Sequence, residues 1–132
     1  MISKTAQYAL SILRALADRP GKRIQGRNLA RETGVPANYL AKIMSRLTRE
    51  GFVDGQKGWG GGFTLNPRGA KKPLLRVIEL FDGLPDRHEC LFGLRRCNEA
   101  DPCPLHGHWE QIRSSFREML SSTKVGQLAS GR

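Results

Sequence analysis

All three cysteines of this chain lie within 14 residues, in a stretch that cannot form a long regular helix or strand. The stretch runs from Glu89 to Trp109 and is interrupted at four positions, by Gly93, Pro102, Pro104 and Gly107. Thiolates are soft ligands, and several of them converge on one ion or cluster only where the backbone can fold around it. The confinement of Cys90, Cys97 and Cys103 to one loop therefore favours a shared metal or cluster site over a mobile loop with incidental cysteines.

Other uses of the three cysteines fit less well. A disulfide framework would leave one thiol over, and the chain shows no signal peptide. A nucleophilic cysteine would find a base in His88, His106 or His108, but such catalysis needs one cysteine and not three. Structural zinc and an iron–sulfur cluster remain. Three cysteines and one histidine can hold zinc, although the two closely spaced ligand pairs of the usual zinc signature are absent. The spacing alone does not decide between zinc and an iron–sulfur cluster.

The length of 132 residues fits one domain. The sequence contains no apolar run of about 18 residues, so no membrane span is predicted, and we expect a cytoplasmic protein.

The charge of the chain is large and uneven. The net charge is +10, and residues 1–76 hold 15 Lys and Arg against 4 Asp and Glu, whereas residues 77–132 hold 7 against 8. The basic half predicts contact with a polyanion. A membrane surface fits less well than nucleic acid, because the cations are spread over several predicted elements.

Apolar residues recur at intervals of three and four through the first fifty positions and predict three helices. These cover residues 5–17, Arg27 to Glu32, and Pro36 to about Glu50. One stripe of the third helix is assigned to the core: Leu40, Ile43, Met44 and Leu47. Its other side is polar and basic: Asn38, Lys42, Ser45, Arg46 and Arg49. Two short helices joined at Gly34 predict a helix-turn-helix whose second, recognition helix enters a major groove, although an ordinary solvated face explains this segment equally well.

A glycine-rich hairpin follows the third helix and favours the DNA-binding interpretation. Residues 51–54 and 63–65 are predicted strands, and residues 55–62 form the loop between them with Lys57 at its tip. A hairpin directly after a helix-turn-helix is the wing of a winged helix, and a thin loop with one cation can enter a minor groove. A phosphate-binding loop is the rival, but its G-x-x-x-x-G-K-[ST] pattern is absent, and Trp59 is either exposed or a packing residue.

The carboxy-terminal half predicts two more helices on either side of the cysteines. A basic linker over residues 66–72 leads to a buried helix over residues 74–81, and a fifth helix runs from about His106 to Ser121. The apolar stripe of the fifth helix predicts the seam of a two-fold dimer, and its members are Trp109, Ile112, Phe116 and Met119 or Leu120. Val125 and Leu128 are expected to pack onto the body.

The predicted fold is therefore mainly α with a small β-hairpin wing. Residues 1–83 form a winged helix-turn-helix, residues 84–105 a cysteine-rich cluster-binding loop, and residues 106–132 a dimerisation helix and tail. An electron carrier has no need of a basic helix-turn-helix, and no acid–base or nucleophile–base pair stands out, so we expect no enzyme.

The order of these motifs resembles the BadM/Rrf-type winged-helix regulators of bacteria, which include the iron–sulfur cluster regulator and the nitric-oxide-sensing repressor. The motifs that carry the resemblance are P-A-N-Y-L-A-K-I-M-S-R-L-T-R-E-G, K-G-W-G-G-G-F-T-L, V-I-E-L-F-D-G and the cysteine trio. The resemblance covers about residues 1–128. It implies homodimers that bind double-stranded operator DNA and hold an iron–sulfur cluster, [2Fe-2S] favoured over [4Fe-4S], through three cysteines and a variable fourth ligand.

The segment C-P-L-H-G-H-W, residues 103–109, is most similar to the iron–sulfur cluster regulator, whose fourth ligand is a histidine three residues after the last cysteine. The resemblance thus implies four ligands: Cys90, Cys97, Cys103 and His106. Lys57 stands where the family often has a wing arginine, and Tyr39 matches a common aromatic residue of the recognition helix. The expected DNA contacts are Asn38, Tyr39, Lys42, Arg46, Arg49 and Lys57. The chain departs from the pattern in a first cysteine spacer one residue longer than usual and in Ala41, which replaces an acidic residue.

The sequence predicts a DNA-binding transcription regulator that depends on an iron–sulfur cluster and senses redox state, nitric oxide or iron–sulfur supply. The alternative is a zinc-stapled winged-helix repressor without redox sensing. We expect neither a membrane partner nor a small-molecule substrate.

Overall fold

The computed structural model describes residues 2–83, 100 and 103–130. Within these residues the chain forms five α-helices and one antiparallel hairpin, in the order α1 (Lys4–Ala17), α2 (Gly26–Thr33), α3 (Ala37–Arg49), β1 (Val53–Gln56), β2 (Gly62–Leu65), α4 (Leu74–Asp82) and α5 (His106–Ser122). Two short 3-10 helices lie at Gly69–Lys71 and Val125–Leu128. The predicted fold class, mainly helical with one small hairpin, is confirmed.

Helix α1 is the centre of the core. Ser3 caps its amino terminus, since its Oγ accepts from the Ala6 N–H at 3.0 Å. One face is buried along its whole length, through Ala6, Ala9, Ile12, Leu13, Leu16 and Ala17. Helices α2, α3 and α4 and the carboxy-terminal 3-10 helix all pack on α1. The three alanines of this face allow close approach of these neighbours, so that α1 fixes where α3 stands.

Helices α2 and α3 form the predicted helix-turn-helix. Gly34 ends α2 in the left-handed conformation, with φ of 75°, which glycine adopts without steric cost. The predicted stripe of α3 is buried as expected, and Leu40, Ile43, Met44 and Leu47 are all exposed by 5% or less. The prediction that Pro36 is the first helical residue was wrong by one position, because Pro36 has an extended ψ of 139° and caps the helix from outside.

The wing comprises β1, β2 and the turn between them. Val53 pairs with Leu65 and Gln56 with Gly62, so the strands reach further into the glycine-rich loop than predicted. The first strand was predicted at residues 51–54. Instead the N–H groups of Gly51 and Phe52 donate back to the carbonyls at the end of α3, at 3.1 and 2.9 Å, and the ladder starts only at Val53. Ile24 forms a further bridge to Phe63 and fixes the base of the wing to the α1–α2 connection.

The carboxy-terminal end of α5 belongs to the same core. Leu120 is 2% exposed and Val125 is fully buried, while Leu128 packs against the same cluster. The N–H of Leu74 donates to the Thr123 carbonyl at 2.8 Å and ties α4 to the end of α5. The prediction for the tail is confirmed. Leu120 was predicted as a possible dimer-seam residue, and this was wrong, because it points from α5 into its own domain.

Trp59 lies at the tip of the wing. It was considered as a packing residue, but its whole side chain is in solvent, 102% exposed. Among residues 2–83 and 103–130, no helix has the length and hydropathy that crossing a bilayer requires.

Candidate DNA-recognition face and ligand site

The outward face of α3 carries the predicted base-contacting residues. Asn38, Tyr39 and Lys42 all lie exposed in its first turns. The Tyr39 ring is 6.0 Å from the Tyr8 ring, and the Lys4 ammonium lies 5.3 Å from the centre of the same Tyr8 ring. Tyr39 is still 48% exposed. The start of α1 therefore orients Tyr39 without covering it, and amide, phenol and ammonium groups stand together at the amino-terminal end of the recognition helix.

The wing tip presents one cation and one aromatic ring to solvent. Lys57 is exposed, as is Trp59 two residues later. At the base of the turn the Arg23 Nη1 donates to the Gly60 carbonyl at 3.0 Å. Arg23 holds the loop against the α1–α2 connection and leaves its tip free. Trp59 was not among the predicted DNA contacts.

Several cations of the basic half bond within the domain. Arg19 donates to both carboxylate oxygens of Glu32, and this pair joins the end of α1 to α2. The hydrogen bond with Arg19 holds the pKa of Glu32 below its ordinary value, and the same bond raises the pKa of Arg19. The Lys72 ammonium donates to the Glu50 carbonyl at 2.8 Å and lies over the Phe52 ring. The net charge therefore overstates the number of cations that face a polyanion.

Arg46 also has a partner inside the chain. It was predicted to contact DNA, and it is exposed, as Lys42 and Arg49 are. Its Nη2 donates to the carbonyl of Leu80 at 2.6 Å, and its guanidinium carbon lies 5.0 Å from the centre of the Phe81 ring. The neighbouring cations of this face, Lys42 and Arg49, are exposed. Arg46 thus differs from them in being held against the end of α4.

Two of the four predicted cluster ligands lie in the described part of the chain. Cys90 and Cys97 lie outside the described residues. Cys103 is half-buried, and its carbonyl accepts from the His106 N–H at 3.0 Å. This hydrogen bond places the two residues at the start of α5, with His106 as the first helical residue.

The imidazole of His106 fits the role of a metal ligand. Its side chain is 15% exposed, and Nδ1 is buried without a hydrogen-bond partner among the residues that the structure describes. On the other side of the ring, Nε2 lies 3.4 Å from a carboxylate oxygen of Glu110, one helical turn further on. Metal-bound histidines commonly present their second nitrogen to a carboxylate, which fixes the ring and leaves one nitrogen for the metal. His108, the other candidate, is exposed.

A helix-turn-helix with a hairpin wing, followed by a long carboxy-terminal helix, defines a winged-helix transcription regulator. A family model described as "Iron-dependent Transcriptional regulator", Rrf2, matches residues 2–131. The chain belongs to the Rrf2 family. It is therefore a regulator and not an enzyme, as predicted.

Individual relatives agree with this assignment. The chain is similar to an HTH-type transcriptional regulator of Aquifex aeolicus, with 32% identity over 130 residues that cover 97% of this chain and 90% of the relative. It is 26% identical to the HTH-type transcriptional regulator IscR of Escherichia coli over 105 residues, which are 80% of this chain and 64% of IscR. The structure of CymR, described as the global cysteine regulator of B. subtilis, superposes with a TM-score of 0.76 at 25% identity and covers 98% of this chain and 96% of CymR.

Proposed function

We propose that this chain binds operator DNA as a homodimer and that its affinity for DNA depends on an iron–sulfur cluster held at the start of α5. The observation that carries the proposal is the His106 imidazole, whose buried Nδ1 lacks a hydrogen-bond partner among the described residues while Glu110 faces Nε2. Its position three residues after Cys103, together with the similarity to IscR, favours a cluster over a structural zinc ion.

The DNA-binding surface consists of the outer face of α3 and the wing tip. Asn38, Tyr39 and Lys42 stand at the amino-terminal end of the recognition helix, where side chains of a helix-turn-helix meet base edges. Arg49 lies at the other end of α3, where it is expected to contact phosphate. Lys57 stands on a glycine-rich tip that is thin enough for a minor groove, whose negative potential favours a cation.

The cluster ligands in this proposal are Cys90, Cys97, Cys103 and His106, and a [2Fe-2S] cluster is favoured. When bound, such a group supplies reversible electron transfer and reactivity toward oxygen or nitric oxide. Cys103 and His106 lie at the amino terminus of α5, and Leu120 anchors the same helix in the core. A helix of 17 residues is a rod about 25 Å long, so a change of order at its first turn is expected to shift its orientation against the winged domain.

The proposal is tested on anaerobically purified full-length protein. We expect a coloured protein with equimolar iron and sulfide, and a colourless Cys103→Ala variant, because water cannot replace a thiolate of comparable softness. A colourless parent with one bound zinc ion would establish the zinc-stapled repressor instead.

The DNA part of the proposal is measured separately, with a duplex selected from a random pool. The logarithm of its affinity should fall linearly with the logarithm of salt concentration, with a slope of about −0.9 for each phosphate contacted. A slope near zero for the parent protein would exclude DNA as the partner.

A further inference from the structure

Arg46 connects the recognition helix to the last turn of α4. Its Nη2 donates to the Leu80 carbonyl at 2.6 Å, and its guanidinium lies 5.0 Å from the centre of the Phe81 ring. The last carbonyls of a helix have no partner within the helix, and a cation at that end is favoured by the helix dipole. The N–H of Gly83 donates to the carbonyl of Glu79 at 3.0 Å, and Arg46 donates to the next carbonyl along the helix, that of Leu80. Arg46 is therefore a capping residue of α4 that comes from α3.

The same end of α4 is held from a second side. The Ser3 N–H donates to the Asp82 carboxylate at 2.9 Å, and the Ser3 hydroxyl donates to the other oxygen of the same carboxylate. Ser3 is also the residue that caps α1. The end of α4 thus lies between the start of α1 and the recognition helix. Seven residues after Gly83 the chain reaches Cys90, so this junction joins the recognition helix to the segment that bears two predicted ligands.

The direction of Arg46 on α3 differs from that of the other cations. At about 100° per residue, Asn38, Lys42, Ser45 and Arg49 fall within one arc of about 60°, opposite the buried stripe. Arg46 lies about 70° from the middle of that arc, on the same side as Tyr39, and its contacts with Leu80 and Phe81 direct its guanidinium toward α4. The contact with the Phe81 ring and the bond to Leu80 hold its guanidinium on this flank, beside the outward face.

We propose that Arg46 is a positioning residue, which sets the recognition helix against the end of α4 and does not contact the DNA backbone. This rests on the proposed DNA binding. A shift of the end of α4 then reaches the recognition helix through the Arg46 guanidinium. Operator affinity depends on Arg46, but through the placement of α3 and not through a released counterion.

The salt dependence of DNA binding separates positioning from phosphate contact. The full-length parent, Arg46→Gln and Lys42→Gln are titrated with the selected duplex at several salt concentrations. Lys42 lies on the outward face of the same helix, so its loss should reduce the magnitude of the log–log slope by about one. Arg46→Gln should weaken binding roughly two- to thirtyfold at every salt concentration, the range typical of residues that act through others, with the parental slope. A slope reduced as in Lys42→Gln would overturn the proposal.

Phe81 supplies an independent variant, because an apolar ring cannot bind a phosphate. Phe81→Leu removes the surface on which the guanidinium stacks and should weaken DNA binding with an unchanged slope. In the double variant, which carries both Arg46→Gln and Phe81→Leu, the fold-loss of affinity should be smaller than the product of the two single fold-losses, since both residues act at one contact. Parental affinity in Phe81→Leu, or fully independent effects, would overturn the proposal even if Arg46→Gln fails to fold. A flat salt response of the parent would instead remove the DNA binding on which the proposal rests.

Discussion

At the scale of single residues, the same side-chain chemistry has different roles depending on its immediate neighbours. Arg19 is paired with Glu32, Arg23 holds the wing and Arg46 caps α4, whereas Lys42 and Lys57 lie exposed. Composition alone predicted a polyanion-binding half, but it could not separate these groups. The cations expected to contact DNA are those that form no hydrogen bond or ion pair with a neighbouring carboxylate or carbonyl among the described residues.

The clearest single-residue prediction compares the two histidines after Cys103. His106→Ala removes the imidazole whose Nδ1 is buried and unpartnered among the described residues, whereas His108→Ala removes an exposed one. We expect His106→Ala to change the visible spectrum and reduction potential and to shorten the lifetime of the cluster in air, because three thiolates remain but one ligand is lost. His108→Ala should match the parent in all three measurements. The reverse pattern would reassign the fourth ligand.

At the scale of secondary-structure elements, periodicity predicted most of the fold. The stripes of α1 and α3 and the sequence around Gly34 were sufficient, because local packing patterns determine them. The start of β1 was misplaced because residues 51 and 52 bond to the end of α3, an outcome that strand propensity does not encode. The hydrogen bond of Arg46 to the Leu80 carbonyl was not predicted for a similar reason, since the two residues lie 34 positions apart in the sequence.

The candidate site was predictable to a different degree. Cys103 and His106 were expected to lie close together because of their spacing before a helix, and a backbone hydrogen bond joins them at the start of α5. The carboxylate of Glu110 behind His106 was not predicted, although a spacing of four residues on a helix was the available signal. The assignment of Leu120 to the seam failed because two apolar faces of α5 overlap, one directed to the core and one to solvent.

Gly62, at the base of the wing, is expected to contribute to the stability of the hairpin. Gly62 has φ of 139°, and a Cβ there would lie 2.7 Å from the Ile24 carbonyl oxygen, which accepts from the Phe63 N–H at 2.8 Å. Gly62→Ala is therefore expected to strain the backbone and to break the Ile24–Phe63 bridge, at a cost of about 2–4 kcal/mol. Gly58→Ala is the matched control in the same hairpin, because its φ of 85° is also positive but its Cβ would meet nothing within 4 Å. It should cost about 1–2 kcal/mol.

Urea denaturation of the two variants and the parent measures the difference in free energy of unfolding. Equal losses for the two variants would mean that the contact with Ile24 does not hold the base of the wing.

At the scale of the whole molecule, α5 exposes apolar side chains that a second copy of the chain could bury. Exposed apolar residues recur every seven positions, at Leu105 just before the helix and at Ile112 and Met119 within it, with exposures of 38%, 51% and 49%. The half-buried Trp109 and Phe116 lie between them at four-residue steps. Alternating steps of four and three residues form the seam of a coiled coil, in which a second copy of the helix covers each side chain. A dimer through α5 would also present two recognition helices to two half-sites.

Ile112→Glu tests this assembly better than a change at Phe116. Phe116 packs partly on its own core, so a charge there would disturb folding as well as association, whereas Ile112 is half exposed in the single chain. In a dimer, Glu at position 112 would be buried near its symmetry mate, and the cost of two unpaired carboxylates should make the protein monomeric. Ser114→Glu, on the opposite side of the same helix, adds the same charge in solvent and should stay dimeric.

Sedimentation velocity on both variants gives the oligomeric state, and titration with the selected duplex gives the consequence for function. A monomer engages one half-site, so Ile112→Glu should lose far more affinity than the roughly 1–3 kcal/mol of a single base contact, while Ser114→Glu should retain parental binding. The visible spectrum of the same Ile112→Glu sample should match the parent if one chain supplies all four ligands. An Ile112→Glu protein that sediments as a dimer would show that the seam lies elsewhere and that the exposed face of α5 has another partner.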